Sequence, residues 1–198
     1  MDQKTIDTYN KMAKEYDEET VDFWDKFPRT FIDKFVYFVK GKILDIGSGP
    51  GRDGLILKEK GLEIICLDAS ESMVKISTEK GLESVVGDLL DIPFSDESFD
   101  GVWAYTSLLH ISKNNINKAF VEIRRIMKNN GILGLGLIEG NTEEYKQSSG
   151  VSMPRLFSLY SKNEIEDVLK KYGFEILYFE AFKPRGNNYL NFIAKKIN

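Results

Sequence analysis

The polar and apolar positions of this chain alternate between two periods. Short apolar runs bounded by Gly, Asp or Asn predict β-strands at residues 42–46, 63–67, 84–86, 99–104 and 132–138. Between most of these runs, apolar residues recur at helical spacing, which predicts helices at 53–60, 73–80 and 114–128. Because a helical crossover joins parallel strands, this alternation predicts a parallel sheet whose strands end at one shared edge.

The two ends of the chain depart from that alternation. Residues 1–41 are rich in aromatic side chains and predict two amphipathic helices, either packed on the sheet or closing over a ligand as a lid. Residues 139–160 carry no regular pattern, which is typical of a long connection that shapes a substrate pocket. A capping box at Ser161 then predicts a helix, and two strand-like runs within 174–195 predict an antiparallel hairpin.

Length and element order together predict the fold class. The chain has 198 residues, of which 42% are hydrophobic, so we expect one well-cored domain over 1–198. Its parts are a helical cap at 1–41, a ligand-binding half at 42–139, and a substrate-side connection, helix and hairpin at 140–198. The predicted class is α/β: a doubly wound, mostly parallel sheet of seven strands in a three-layer sandwich, with an antiparallel C-terminal hairpin.

Charge and cysteine content exclude several classes of partner. The chain has 27 Lys and Arg against 31 Asp and Glu and no basic cluster, which disfavours nucleic acid. The single cysteine, Cys66, cannot form an internal disulfide, and one cysteine with one histidine disfavours a zinc site. We find no signal peptide and no apolar run long enough for a bilayer, so we expect a cytoplasmic protein with neither a membrane nor a metal partner.

The stretch 42–54 points to a ligand. Glycines 47, 49 and 51 follow a buried strand and precede a helix, and glycine lets another molecule approach the main chain closely. The acidic residues Asp45 and Asp68 end the first two strands and are expected at the same edge of the sheet. Taken alone, either one could also be a helix cap or a turn former. The dinucleotide fingerprint is a weaker alternative, because its third glycine is replaced here by Arg52.

Four pieces in this order resemble the class I S-adenosylmethionine-dependent methyltransferases, and the likeness covers essentially the whole chain. The pieces are residues 43–51, 67–73, 87–94 and 99–110. The resemblance implies a Rossmann-like fold and S-adenosyl-L-methionine as the cofactor, with S-adenosyl-L-homocysteine as its product. The residues that the resemblance places at the cofactor are Tyr9, Tyr16, Asp45, Gly47, Ser48, Gly49, Gly51, Arg52, Asp68, Ala69, Met73, Asp88, Leu89 and Tyr105.

The resemblance also implies individual roles. The glycine loop would lie under the amino-acid part of the cofactor, Asp68 would hold the ribose hydroxyls, and Asp45 would order the loop or face the cofactor amine. Asp88 would receive the adenine amino group, with the Leu89 N–H at the ring and Ala69 and Met73 flanking it. Tyr9 and Tyr16 resemble tyrosines that close over the methyl donor. Arg52 could pair with the cofactor carboxylate or lie in solvent.

His110 is the one side chain whose unperturbed pKa suits proton transfer at neutral pH. It is either a general base or a part of the cofactor pocket, and methyl transfer by alignment needs no dedicated catalytic residue. We expect a methyltransferase that acts on a small molecule, as a monomer or homodimer. The alternatives are a regulatory protein that binds the cofactor without turnover, and a protein or RNA methyltransferase.

Overall fold

A computed structural model describes residues 1–148, 151–183 and 186–197 of the chain. The helices are α1 (Gln3–Lys11), α2 (Ala13–Thr20), α3 (Phe23–Lys26), α4 (Thr30–Phe38), α5 (Arg52–Glu59), α6 (Glu71–Glu79), α7 (Ile116–Ile126) and α8 (Lys162–Lys171), with a short 3₁₀ helix at Leu108–His110. The strands are β1 (Lys42–Ile46), β2 (Glu63–Asp68), β3 (Glu83–Val86), β4 (Phe99–Tyr105), β5 (Met127–Ile138), β6 (Glu143–Ser148), β7 (Val151–Ser158), β8 (Phe174–Phe182) and β9 (Tyr189–Lys196).

The central sheet has seven strands in the order β3-β2-β1-β4-β5-β9-β8. Strands β1 to β5 are parallel, and β9 is antiparallel to both of its neighbours. The last strand of the chain is therefore inserted between β5 and β8, which a local hairpin alone does not require. This arrangement confirms the predicted fold class, and it places the ends of β1, β2 and β4 at one edge of the sheet.

Alternate residues of each strand contribute to two separate hydrophobic clusters. Leu44 and Ile46 of β1 pack in the cluster that contains α7 and α8, whereas Ile43 packs with α4 and α5 on the other face. This is the side-chain period of a strand that is buried on both faces. Within the described residues, no helix combines the length and apolar character needed to cross a membrane.

The N-terminal helices are more broken than predicted. Two helices were expected, but α1 and α2 are separated at Met12, whose backbone is not helical (φ −110°, ψ 17°). In an unbroken helix, residues seven apart are about 10 Å apart along the axis. Here the Tyr9 and Tyr16 ring centroids lie only 5.3 Å apart and meet edge-on. The break at Met12 is what brings the two tyrosines together.

The sequence predicts an irregular connection over 139–160. The structure contradicts this prediction, because the connection contains the antiparallel pair β6–β7. Periodicity missed β7 because Pro154 lies within it, and proline argues against a regular strand. The structure accommodates Pro154 where the register shifts, between the paired residues Val151 and Arg155. Residues 149–150 of this connection lie outside the described residues.

The α7–β5 boundary also lies earlier than predicted. The sequence predicts a helix through residue 128, but α7 ends at Ile126 and Met127 already pairs with Phe99 of β4. Asn130 then takes a left-handed conformation (φ 64°), which Asn tolerates better than most residues, within the strand rather than at a helix end.

Helix α1 is anchored to β7 by buried threonines. Thr5 is fully buried, and its Oγ1 accepts the N–H of Leu156 at 2.9 Å. The hydroxyl of Thr8 donates to the Pro154 carbonyl at 2.9 Å. These bonds replace water on both partners, so the first helix and the hairpin form one unit over the sheet edge.

Replacing Thr5 with valine should loosen that unit. The substitution keeps the shape but leaves the buried Leu156 N–H without an acceptor, so we expect a loss of about 1–3 kcal/mol in the free energy of unfolding. Urea denaturation measures the loss, and hydrogen exchange at the Leu156 amide locates it. Thr78→Val on the exposed face of α6 is the matched control, with an expected change within about 0.5 kcal/mol. Equal effects of the two substitutions would contradict this role of Thr5.

Candidate active site

The loop after β1 is held by the end of β2. The N–H groups of Gly47 and Ser48 both donate to the Leu67 carbonyl, at 2.7 and 3.1 Å. Gly47 has a positive φ of 64°, and a side chain there would collide with Ser107 of the loop after β4. Glycine at 47 is therefore required both by the backbone conformation and by the close approach of Ser107.

Asp68 orders the same loop from the end of β2. Its Oδ2 accepts the N–H of Gly49 at 2.8 Å, and its Oδ1 accepts the N–H of Ser70 at 2.8 Å. Burial raises the pKa of this carboxyl, and the backbone N–H groups of Ser70 and Gly49 oppose the shift. Each carboxylate oxygen keeps further acceptor capacity, since a carboxylate offers about four lone-pair positions.

A cavity of about 730 Å³, including the space at its mouth, lies over this loop. Of the residues that the sequence predicts at the site, the structure brings together on its wall Tyr9, Tyr16, Asp45, Gly47, Ser48, Gly49, Arg52, Asp68, Ala69, Met73, Leu89, Tyr105 and His110. The prediction missed further lining residues, which are Met1, Ile6, Thr20, Pro50, Asp53, Ser70, Thr106 and Ser107.

Gly51 and Asp88 are predicted site residues that lie outside this wall in the described part of the chain. Gly51 precedes α5 with φ 82°, and a side chain there would press on Leu82 and Ser77 rather than reach the cavity. The Asp88 carboxylate accepts the Leu90 N–H at 2.8 Å and contacts the amino group of Met1. Gly51 thus serves packing between α5 and α6.

Asp53 is the most connected buried carboxylate at this edge. It accepts the indole N–H of Trp24 at 2.7 Å, the indole N–H of Trp103 at 2.9 Å and the Nε–H of Arg52 at 2.6 Å. The Arg52 guanidinium also lies over the Phe23 ring, 4.8 Å from its centroid. The sequence left two places open for Arg52, at the cofactor carboxylate or in solvent. The structure excludes the place in solvent. The signal that could have identified Asp53 is its position in the first turn of a helix after a glycine loop.

Tyr9 and His110 belong to a chain of hydrogen bonds. His110 Nδ1 lies 2.6 Å from the Leu156 carbonyl, which can only accept, so Nδ1 carries the proton. His110 Nε2 then accepts from the Tyr9 hydroxyl at 2.7 Å, and that hydroxyl accepts from Arg155 at 2.6 Å. Burial, followed by the charge of Arg155, lowers the pKa of His110 to about 3. His110 is neutral in the folded protein, and its basic nitrogen is bonded to Tyr9.

A second cavity of about 1190 Å³, including its open mouth, adjoins the first. The two cavities share Tyr9, Tyr16, Thr20, Thr106 and His110 as a common wall. Thr106 has a positive φ of 56°, which is uncommon for a β-branched residue and is typical of functional sites. A molecule in one cavity would meet a molecule in the other at this wall.

Comparisons with known proteins agree with this geometry. A sequence profile described as a methyltransferase domain matches residues 44–135, which include the loop, β2, β3 and β4. An uncharacterized methyltransferase of Staphylococcus carnosus is 29% identical over 72% of this chain and 72% of its own length. Over residues 44–135, the chain is therefore similar to the methyltransferase domain family.

Two crystal structures show the same fold at low sequence identity. A methyltransferase of Methanosarcina mazei gives a TM-score of 0.74 at 19% identity, covering 86% of this chain and 98% of its own. The 1,6-didemethyltoxoflavin-N1-methyltransferase of Burkholderia thailandensis, with 1,6-didemethyltoxoflavin and S-adenosylhomocysteine bound, gives a TM-score of 0.71 at 17% identity, covering 98% of this chain and 88% of its own. The Rossmann-like methyltransferase fold implied by the sequence resemblance is confirmed.

The residues of the first cavity fit S-adenosylmethionine, the cofactor of the methyltransferases that this chain resembles. Four buried polar atoms on its wall have no hydrogen-bond partner in the described residues: Asp45 Oδ2, Ser48 Oγ, Tyr105 OH and Ser107 Oγ. Buried polar groups are normally bonded, so unpartnered ones around a glycine loop suit a polar ligand. Burial, with the nearby charge of Asp53, raises the pKa of Asp45 well above its usual range. A cationic amine beside Asp45 would relieve that cost.

The depressed pKa of His110 predicts an acid-sensitive contribution to stability. The unfolded state takes up a proton on His110 below about pH 6.5, whereas the folded state does so only near pH 3. Stability should therefore fall as the pH drops through this window, by up to about 1.4 kcal/mol per pH unit from this group.

His110→Asn tests this linkage, because Asn can still donate to the Leu156 carbonyl but does not titrate. The difference in unfolding free energy between wild type and variant should be largest near neutral pH and shrink as the pH is lowered. Chemical denaturation across the pH range measures it. A difference that stays constant with pH would show that His110 is not held neutral.

Asp53→Asn should destabilise the protein strongly. An amide cannot accept from both indoles and Arg52 in place of the carboxylate, and it leaves the half-buried guanidinium without its counterion, so we expect a loss of roughly 2–5 kcal/mol. Asp25→Asn is the control, since it removes a carboxylate that pairs with Arg29 on the surface, for about 0–1 kcal/mol. Urea denaturation with tryptophan fluorescence reads both, and similar losses would refute the role of Asp53.

Proposed function

We propose that this chain transfers a methyl group from S-adenosylmethionine to a small-molecule acceptor. The observation that carries the proposal is the pair of adjoining cavities, one over the glycine loop and one opening to solvent, with a common wall. When bound, S-adenosylmethionine supplies a methyl group that its sulfonium charge already activates. The protein then has to align two molecules across the wall and exclude water, and alignment alone can contribute on the order of 7–11 kcal/mol.

Residues of the first cavity would divide the cofactor between them. The backbone of Gly47 to Gly49 would lie against the methionine end, with Asp45 facing the amine and Asp68 accepting from the ribose hydroxyls. Leu89 and Met73 would border the adenine. The adenine role of Asp88 stays a prediction, and it requires its carboxylate to exchange the Met1 amino group for the ligand.

Helices α1 and α2 would close the cofactor cavity as a lid. Asn10 supports this, because its Oδ1 accepts from the Ser70 hydroxyl at 2.8 Å and from the Ser72 N–H at 3.2 Å. Helix α1 thus bridges from α6 to β7, and Tyr9 and Tyr16 point into the cavity between them. A lid in this position would exclude water from the methyl group.

We propose a positioning role for His110 in preference to general-base catalysis. Its Nε2 lone pair is bonded to the Tyr9 hydroxyl, and it could take an acceptor proton only after that bond breaks. Burial also keeps the Tyr9 phenol protonated by raising its pKa, so the donor is retained. An acceptor that must lose a proton would release it to solvent through the second cavity.

The decisive experiment measures binding and turnover separately. Calorimetry with S-adenosylmethionine and S-adenosylhomocysteine tests the cofactor site, and release of S-adenosylhomocysteine over a panel of small nucleophilic acceptors tests transfer. If neither S-adenosylmethionine nor S-adenosylhomocysteine binds, the proposal is refuted. Binding without release from any acceptor, proteins and RNA included, would favour the regulatory alternative.

Asp68→Asn should weaken cofactor binding by about 10-fold to 100-fold, which corresponds to the loss of about 1.5–3 kcal/mol in charge-assisted hydrogen bonds. Asp91→Asn is the control, since Asp91 is exposed on a neighbouring loop. Thermal unfolding of both variants separates lost binding from lost folding. Affinity within about twofold of wild type would exclude Asp68 from the ribose role.

A further inference from the structure

We infer that the acceptor is a flat, mostly apolar small molecule that carries an anionic group, and that it binds in the second cavity with this group against Lys146 and Arg155. The inference rests on the proposed methyl transfer and narrows its substrate class. Its evidence is the charge pattern of the β6–β7 hairpin and the aromatic lining of the cavity.

Lys146 and Arg155 are cross-strand partners in the hairpin, and both line the second cavity. Directly opposite residues of an antiparallel pair lie on the same face, where two like charges destabilise the pairing. The Lys146 Nζ lies 4.9 Å and the Arg155 guanidinium carbon 5.2 Å from the centroid of the Phe157 ring. Two cationic groups of the cavity wall thus lie over the same Phe157 ring. An anion bound between them would relieve their electrostatic repulsion.

Of this pair, Lys146 has no acidic partner within the described residues. Asp22 of the cavity wall is bonded to Lys26 at 2.5 Å, and Glu19 is exposed to solvent. Glu144 shares the hairpin face, but within the described residues Lys146 forms no ion pair with it or with any other carboxylate. Arg155 is nearly fully buried and donates to the Tyr9 hydroxyl. The hairpin side of the cavity therefore presents the ammonium of Lys146 beside the guanidinium of Arg155.

Aromatic rings form the remainder of the cavity wall. The Phe23 ring lies 5.0 Å from Phe27 and 6.2 Å from Tyr189, centroid to centroid, and all three line the cavity. Phe23 is tilted by 55° to Phe27 and by 50° to Tyr189, and an aromatic wall of this kind favours an apolar, aromatic ligand. An acceptor with its anion at the hairpin would lie along these rings and reach the common wall at Thr106 and His110.

A pair of fluorescent probes separates charge from shape. Anilinonaphthalene sulfonate is an aromatic anion, and phenylnaphthylamine is its neutral counterpart with the same rings. We expect the sulfonate to bind the folded protein saturated with S-adenosylhomocysteine, and Lys146→Gln to weaken it about fivefold or more by removing a charge-assisted contact. The neutral probe should bind wild type and Lys146→Gln equally.

Lys162→Gln is the matched control, because Lys162 of α8 lies away from the cavity, with its ammonium 4.6 Å from the ring of Phe179 in β8. It should leave sulfonate binding unchanged. Added salt should weaken the sulfonate and not the neutral probe, which tests the charge in the wild-type protein without any substitution.

The outcomes distinguish this inference from the proposed function. Calorimetry of S-adenosylhomocysteine on the same samples reports the cofactor site independently. If the cofactor product binds while the sulfonate does not bind, or binds without dependence on Lys146, the anionic acceptor is refuted and the methyltransferase proposal stands. If the sulfonate responds to Lys146→Gln and salt while the neutral probe does not, the inference is supported.

Discussion

The buried carboxylate of Asp53 connects the parts of this molecule that form the site. It receives three donors, one from the N-terminal segment through Trp24, one from the central strand through Trp103, and one from Arg52 in its own helix. Removing a carboxylate from water costs several kcal/mol unless donors replace the water. Because these donors come from three separate parts of the chain, the cost is met only when the N-terminal helices, β4 and the glycine loop are in place together.

The same principle explains how the N-terminal region can be both structural and functional. Thr5, Thr8 and Asn10 use their polar groups on β7 and α6, which leaves Tyr9 of the same helix to face the cavities. The break at Met12 turns Tyr16 toward Tyr9. Hydrogen bonds from its polar side chains thus hold α1 in place. The aromatic side chains of α1 and α2 form part of the wall between the two cavities.

The two cavities differ in charge although they share a wall. In the described part of the chain, the wall of the first cavity contains Asp45, Asp53 and Asp68 with Arg52 and Met1, whereas the hairpin side of the second presents Lys146 and Arg155. A cationic methyl donor and an anionic acceptor would each be favoured in its own cavity. Burial, followed by the charge of Arg155, lowers the pKa of His110, which lies between the two cavities.

Local sequence determined the sheet, the glycine loop and the acidic residues at the strand ends. Those features depend on neighbours in the chain: apolar alternation defines a strand, glycine permits the turn at 47, and the capping box at Ser161 satisfies its own helix end. Only the tertiary structure decided that β9 lies between β5 and β8 and that β6 pairs with β7 despite Pro154. It also decided which side chains form hydrogen bonds with Asp53 and His110. The Tyr9–His110 bond spans 101 residues and the Trp103–Asp53 bond spans 50. Such hydrogen-bond partners depend on which polar groups are buried together in the folded chain. The periodicity of apolar residues along the sequence does not predict them.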